Sequence, residues 1–192
     1  MKVCVYCASS ARAPSRFGEA AYVLGRELAR ADIEVMFGGG GIGSMAQLAD
    51  GVLDHGGQIV GVMPGFMREL EWAHPRVETF CWTPDLASRK AKLIENTDGI
   101  VALPGGSGTF EELIETITHK RLGLYLQPIV IVNQDGFYDP LIALFEAAIQ
   151  NQFMDQRHMA MFSVVDNVHD VIPAIRSAPR WSAEARGFAT LR

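Results

Sequence analysis

The residues best suited to chemistry lie in one stretch, Leu103-Pro104-Gly105-Gly106-Ser107-Gly108-Thr109-Phe110-Glu111-Glu112. An apolar run enters it, an amphipathic pattern leaves it, and the backbone between them is almost bare. It reads as a strand, an open loop and a helix start. Such a junction leaves helix N–H groups without intrahelical partners, and glycines let an anionic ligand approach them closely. Thr109-x-x-Glu112 has the form of a capping box, with Thr109 at the N-cap and Glu112 three residues on. On a helical wheel Phe110, Leu113, Ile114 and Ile117 form the buried stripe and Glu112 lies away from it. Side chains lean toward a helix's N-terminus, so this carboxylate is expected to overhang the mouth of the loop. The positive helix end should keep Glu112 ionised, which suits a base or a carbocation stabiliser and not a general acid. A phosphate at the same terminus would repel it, so a cation is wanted nearby. Arg89 and Lys90 are the nearest in sequence, although a solvated surface pair is the simpler reading of that dipeptide.

A second bare loop is Gly38-Gly39-Gly40-Gly41-Ile42-Gly43-Ser44. Gly38-x-Gly40-x-x-Gly43 matches the dinucleotide fingerprint, which raises an NAD-dependent oxidoreductase as a rival. The match is weak, because the loop follows the second strand and the stretch from Gln58 to Gly65 lacks the acidic residue expected ~20 residues on. Phosphate or nucleotide contact is the reading retained for it. At Gly105 to Thr109 a P-loop is excluded by the missing lysine, and Gly105-Gly106-Ser107-Gly108-Thr109 is no nucleophile elbow. His55, His74, His119, His158 and His169 show no metal spacing, so neither metal nor cofactor is expected. Cys4 and Cys7 are three apart in a strand and face opposite ways, so with Cys81 they read as buried bystanders.

Alternating elements must position these loops. Strands are predicted at Lys2 to Ala8, Ile33 to Phe37, Gln58 to Met63, Val77 to Trp82, Gly99 to Leu103, Pro128 to Val132 and Phe162 to Val165. Helices are predicted from about Ser15 to Ala31, Met45 to Leu53, Pro84 to Glu95, Thr109 to Leu122, Asp139 to Gln150 and Val168 to Ile175, with Phe66 to His74 mixed. The strands are continuously apolar, as in a parallel sheet covered on both faces. The class expected is a single Rossmann-like, doubly wound α/β domain of about six to seven strands. It spans residues 1–178, with 179–192 a weakly patterned, mobile tail. In such sheets ligands bind beyond the carboxyl ends of the strands, the edge on which both loops fall.

With 192 residues and 48% apolar content the chain has material for one well-buried domain. No stretch approaches the ~18 to 20 apolar residues of a membrane span, and the opening strand leaves no sign of a targeting segment, so the protein is expected to be cytoplasmic. The net charge of −5, with scattered Lys and Arg, argues against nucleic acid as a partner.

Taken together, Pro104-Gly105-Gly106-Ser107-Gly108-Thr109-x-x-Glu112 preceded by Arg89-Lys90 resembles the P-G-G-x-G-T-x-x-E signature of the LOG ("lonely guy") family, cytokinin riboside 5′-monophosphate phosphoribohydrolases often labelled lysine decarboxylases. The likeness runs from Val3-Cys4-Val5-Tyr6-Cys7-Ala8-Ser9-Ser10 through Gly38 to Met45 and on to Asp135-Gly136-Phe137-Tyr138-Asp139-Pro140. It implies a Rossmann-type homodimer that hydrolyses the N-glycosidic bond of AMP or an N6-modified AMP, releasing base and ribose 5-phosphate. By position, Arg89 and Glu112 are implied as the catalytic pair. Ser9, Gly39, Gly40, Gly41, Gly43, Ser44, Leu86, Lys90, Gly105, Gly106, Ser107, Gly108 and Thr109 are implied as substrate-binding. A non-catalytic nucleotide carrier on the same fold is the alternative. The chain departs from the family at Leu86-Ala87-Ser88-Arg89-Lys90, where M-H-E-R-K is common, at Ala8 for a usual Gly, and at Gly43-Ser44-Met45 for G-L-M. No residue marks a pyridoxal-phosphate lysine.

Overall fold

The computed structural model describes residues 1–70 and 72–189. Seven strands, β1 (Lys2–Tyr6), β2 (Glu34–Phe37), β3 (Ile59–Pro64), β4 (Thr79–Thr83), β5 (Gly99–Ala102), β6 (Ile129–Val132) and β7 (Ser163–Val165), form one sheet in the order β4-β3-β2-β1-β5-β6-β7. Every neighbouring pair is parallel. The helices are α1 (Ser15–Arg30), α2 (Gly43–Leu53), α3 (Gly65–Glu69), α4 (Leu86–Ile94), α5 (Ser107–Arg121), α6 (Asp139–Gln150) and α7 (Val171–Ser177). This is the doubly wound α/β class expected from the strand pattern.

The alternation of side chains along β1 shows why the strands are apolar throughout. Val3 and Val5 pack with α1, α2 and α7 on one face, while Cys4 and Tyr6 pack with α4 and α5 on the other. The two cysteine sulfurs of the C-x-x-C therefore sit in different core layers. Both faces are dry, and each fully buried Val or Leu stabilises the fold by ~1.5–3 kcal/mol.

Element boundaries follow local chemistry. α4 starts at Leu86, two residues after Pro84, because the Asp85 carboxylate takes the N-cap and accepts a hydrogen bond from the Ser88 N–H at 2.7 Å. α2 ends at a turn with Gly56 at φ +69°, a conformation that glycine adopts freely. The mixed stretch after β3 contains α3, and Glu71 lies outside the described residues. In the tail, the Trp181 indole N–H donates to the Lys120 carbonyl at 2.8 Å and Ala183–Phe188 forms a 3-10 turn with Ala185 buried. Two aromatic side chains hold this segment, Trp181 and also Phe188, whose ring lies against His158 and Arg157, and such point contacts carry no periodicity; residues 190–192 of the tail lie outside the described residues.

α1 and α2 touch backbone to backbone. A Cβ on Gly25 would run into the Leu48 carbonyl, and one on Gly51 into the Tyr22 carbonyl. This approach fixes how closely α2 lies against α1. Gly51→Ala is therefore expected to destabilise the fold by about 3 kcal/mol, since neither backbone can yield. Urea unfolding measures it, and an unchanged midpoint would contradict the close approach.

Candidate active site

The chain lays down β1 to β4 in one direction, then crosses to the other side of β1 to place β5. The carboxyl ends of β1 and β5 thus flank the switch point of the sheet, where loops diverge and leave a crevice. A cavity of about 240 Å³ opens there. Cys7, Ala8, Ser9 and Ser10 come to it from the loop after β1, Met45 from α2 and Arg89 from α4, while α5 and its loop bring Gly106, Ser107, Gly108, Thr109 and Glu112.

The centre of this cavity is an ion pair. Arg89 donates from Nη1 to Glu112 Oε1 at 2.6 Å and from Nε to the Val62 carbonyl at 3.0 Å. Their side chains are only 11% and 9% exposed, so neither charge can rely on water. The guanidinium reaches this place because Gly38 has no side chain; a Cβ there would meet both Arg89 and the Met45 sulfur. Arg89 is thus a component of the site rather than a solvated surface residue.

The start of α5 differs from the expected capping box. Gly106 is the N-cap and offers no side-chain cap, and the first intrahelical bond runs from the Phe110 N–H to the Gly106 carbonyl at 3.0 Å. Thr109 is therefore the third helical residue, and its side chain packs against Gly105. The N–H groups of Ser107, Gly108 and Thr109 have no carbonyl within the helix to receive them. They lie at the cavity, ready for an anion.

The buried face of α5 is also rotated from the expected stripe. Thr109, Glu112, Leu113, Thr116 and Ile117 face inward, whereas Phe110 and Ile114 are 40% and 38% exposed. Polar side chains can be buried here because each finds a partner: Glu112 has Arg89, and the Thr116 and Tyr6 hydroxyls are 2.9 Å apart. Burial raises the Glu112 carboxyl above its ordinary value, with Arg89 opposing the shift. The helix dipole was expected to favour the anion, but it acts within the first turn and Glu112 lies beyond it. Burial likewise pushes the Cys4 and Cys7 thiols up, so Cys7 is a neutral wall of the cavity.

Of the residues carried over by resemblance, the structure brings together Arg89, Glu112, Ser9, Gly106, Ser107, Gly108 and Thr109. Others stand apart. Gly39 accepts the His74 N–H at 2.9 Å, Gly40 bridges Ala73, and the Gly41 N–H donates to Trp72, so this loop is tied to residues 72–74. Gly43 and Ser44 line a separate groove beside the first turn of α1 that meets the cavity at Ser10. Gly105 and Ser44 line an apolar cavity of about 270 Å³ with Phe17, Phe137, Pro14 and Pro104. Leu86 is 48% exposed at the start of α4. Lys90 contacts carboxylates on α5 rather than the cavity. Sequence reasoning missed Cys7, Ala8, Ser10 and Met45 as lining residues. Their signal was position alone, just past the first strand and in the first turn after the second glycine loop.

A protein-family model described as "Possible lysine decarboxylase" matches residues 45–175. The chain is 40% identical over 153 residues to the probable cytokinin riboside 5′-monophosphate phosphoribohydrolase LOGL1 of Oryza sativa subsp. japonica, covering 80% of this chain and 69% of that protein. It is 31% identical over 198 residues to the cytokinin riboside 5′-monophosphate phosphoribohydrolase LOG1 of Arabidopsis thaliana, covering 98% and 93%. A molybdenum cofactor binding protein from the phototrophic bacterium Rippkaea orientalis superposes with a TM-score of 0.71 at 18% identity over 92% of this chain and 95% of that one, a likeness of fold. No lysine lines the cavity.

The buried pair makes a stability prediction. Because folding raises the Glu112 pKa above its unfolded value, the stability tied to its protonated form is lost as pH rises through the folded value. Arg89→Met removes the cation that moderates this loss. The variant is expected to lose about 3 kcal/mol at pH 8 and much less well below the ordinary value of 4.5, where Glu112 becomes protonated in both states. Urea unfolding across pH tests it; a loss independent of pH would contradict the pairing.

Proposed function

The chain belongs to the LOG family of cytokinin riboside 5′-monophosphate phosphoribohydrolases, and we propose that its Arg89–Glu112 cavity hydrolyses the N-glycosidic bond of an adenine-type nucleoside 5′-monophosphate. The observation that carries the assignment of this site is the buried ion pair beside an uncapped helix start. Water adds to the anomeric carbon, the bond to the base breaks with its electron pair going to the base nitrogen, a proton equivalent to the one lost by the water ends on that nitrogen, and the products are free base and ribose 5-phosphate.

The phosphate is assigned to the N–H groups of Ser107, Gly108 and Thr109, where the helix end favours negative charge. The ribose then lies toward Arg89 and Glu112. As the bond breaks the sugar gains oxocarbenium character, which a carboxylate stabilises; the same carboxylate takes a proton from the attacking water. A base with a raised pKa is better at this task than an ordinary glutamate, and burial raises that of Glu112. Arg89 holds enough of Glu112 ionised to act, and its own permanent charge makes it an orienting group, not a proton donor.

Ligand pockets usually measure ~300–1,000 Å³, so a nucleotide would need more room than the central cavity offers. The apolar cavity beside it shares Ala8, Ser10 and Gly106 and gives a flat base or an N6 substituent a place against Phe17 and Phe137. AMP and N6-modified AMP both fit this reading.

Assembly as a homodimer belongs to the same proposal. α6 has no buried residue although Leu144 is 65% exposed, and Phe110 and Ile114 of α5 are also uncovered, the pattern of a face awaiting a partner. Among the described residues no helix is long and apolar enough to cross a membrane; a cytoplasmic location is part of the same proposal. The alternative reading is a non-catalytic nucleotide carrier on the same fold.

A chromatographic assay separates the two. Wild type is expected to release base and ribose 5-phosphate from AMP or N6-isopentenyl-AMP, and Glu112→Gln to lower kcat ~10³-fold. The acid limb of kcat/KM should fall above pH 4.5, since the raised pKa keeps Glu112 protonated there. Tight binding of these nucleotides without turnover would favour the carrier.

A further inference from the structure

Lys90 follows Arg89 on α4, yet its ammonium is 2.8 Å from Glu111 Oε1 and 2.8 Å from Glu115 Oε2 on α5. Glu111 and Glu115 are four residues apart on one face of that helix, and without a cation between them they repel each other. α4 has nine residues and buries only Leu93, so little apolar contact fixes where it sits. Beyond Leu93 and the partly buried Ile94, its attachments are polar: the Asp85 cap, the bonds of Arg89 to Val62 and Glu112, and Lys90. Two charge contacts therefore cross the α4–α5 gap side by side. Arg89 meets Glu112 inside, and Lys90 meets Glu111 and Glu115 outside.

We propose that Lys90 is a positioning residue: by bridging Glu111 and Glu115 it holds α4 against α5 so that Arg89 reaches Glu112 within the cavity. The activity readout rests on the phosphoribohydrolase reading; the geometry stands without it. Glu111 and Glu115 are 63% and 37% exposed at their side chains, so these pairs add little to stability as such. Their effect is on register and charge. Glu111 pushes the Glu112 carboxyl up and Lys90 offsets it. The other groups facing Glu112 are Arg89 from α4, Cys4 and Tyr6 of β1, and Cys7 just beyond, of which only Arg89 is charged, burial having raised the other three. Loss of the ammonium thus leaves two uncompensated carboxylates beside the catalytic one.

The test compares wild type, Lys90→Met, Lys90→Arg and the triple variant Lys90→Met/Glu111→Gln/Glu115→Gln. Lys90→Met is expected to lower kcat ~10-fold with KM within ~3-fold of wild type, as a small misplacement of reacting groups does. Its acid limb should move to higher pH, Lys90→Arg should restore most of kcat, and the triple variant should return the acid limb toward wild type. A large rise in KM with kcat unchanged would make Lys90 a substrate ligand and overturn the proposal, as would an unmoved kcat and acid limb. A second measurement needs no turnover. The coupling between Arg89 and Glu112, from a cycle of Arg89→Met and Glu112→Gln in urea unfolding, should shrink in the Lys90→Met background. An undiminished coupling would refute the positioning role even if wild type cleaved no nucleotide at all.

Discussion

Everything around the switch point of this sheet serves one buried charge. A carboxylate withdrawn from water is costly unless a cation and hydrogen bonds replace the solvent. Glu112 is withdrawn from water, and Arg89 is what replaces it. For Arg89 to do so, α4 must begin at the Asp85 cap, Val62 must present its carbonyl, and Gly38 must lack a side chain. These groups come from α4, β3 and the loop after β2. They meet because the parallel order brings their ends to one edge, with α5 delivering Glu112 across from them.

The second constraint is an omission. α5 starts without a side-chain cap, and its first turn contains no acidic residue, so its free N–H groups and positive end stay open to a ligand. A capped helix would be more stable, by about 1 kcal/mol for a good N-cap, and would compete with an anion for the same donors. Local rules broken at a site and obeyed elsewhere are the mark of function, and α4, one strand earlier, has the cap that α5 lacks. Together the pair and the open helix end underlie the polarity we propose for the crevice: anion at the α5 terminus, reacting carbon at Glu112, apolar base beyond.

Most of the architecture was legible in the chain. Continuous Val and Ile runs separated by amphipathic stretches dictate a parallel sheet, and α6 has the bounds its pattern implies because Asp139 and Pro140 mark its first turn. What failed was local inference where tertiary contact decides. Thr109-x-x-Glu112 satisfies the capping-box pattern, yet α5 begins two residues earlier, and the glutamate turns inward to an arginine 23 positions away. Phe110 and Ile114 fit a buried stripe, but periodicity cannot distinguish a core from a face left for another surface. The Gly38 to Ser44 loop has the composition of a phosphate cradle, while its backbone is partly committed to residues 72–74. Lys90 was read with its neighbour Arg89 although consecutive helical residues point in different directions.

In the proposed complex the uncapped turn of α5 holds the phosphate while residue 112 faces the anomeric carbon. The most direct measurement is a crystal structure of the Glu112→Gln variant soaked with AMP. Phosphate oxygens are expected within hydrogen-bond distance of the Ser107, Gly108 and Thr109 N–H groups, and C1′ of the ribose beside the residue-112 amide. A phosphate seated on the Gly38 to Ser44 loop, or a ribose turned away from residues 89 and 112, would contradict it.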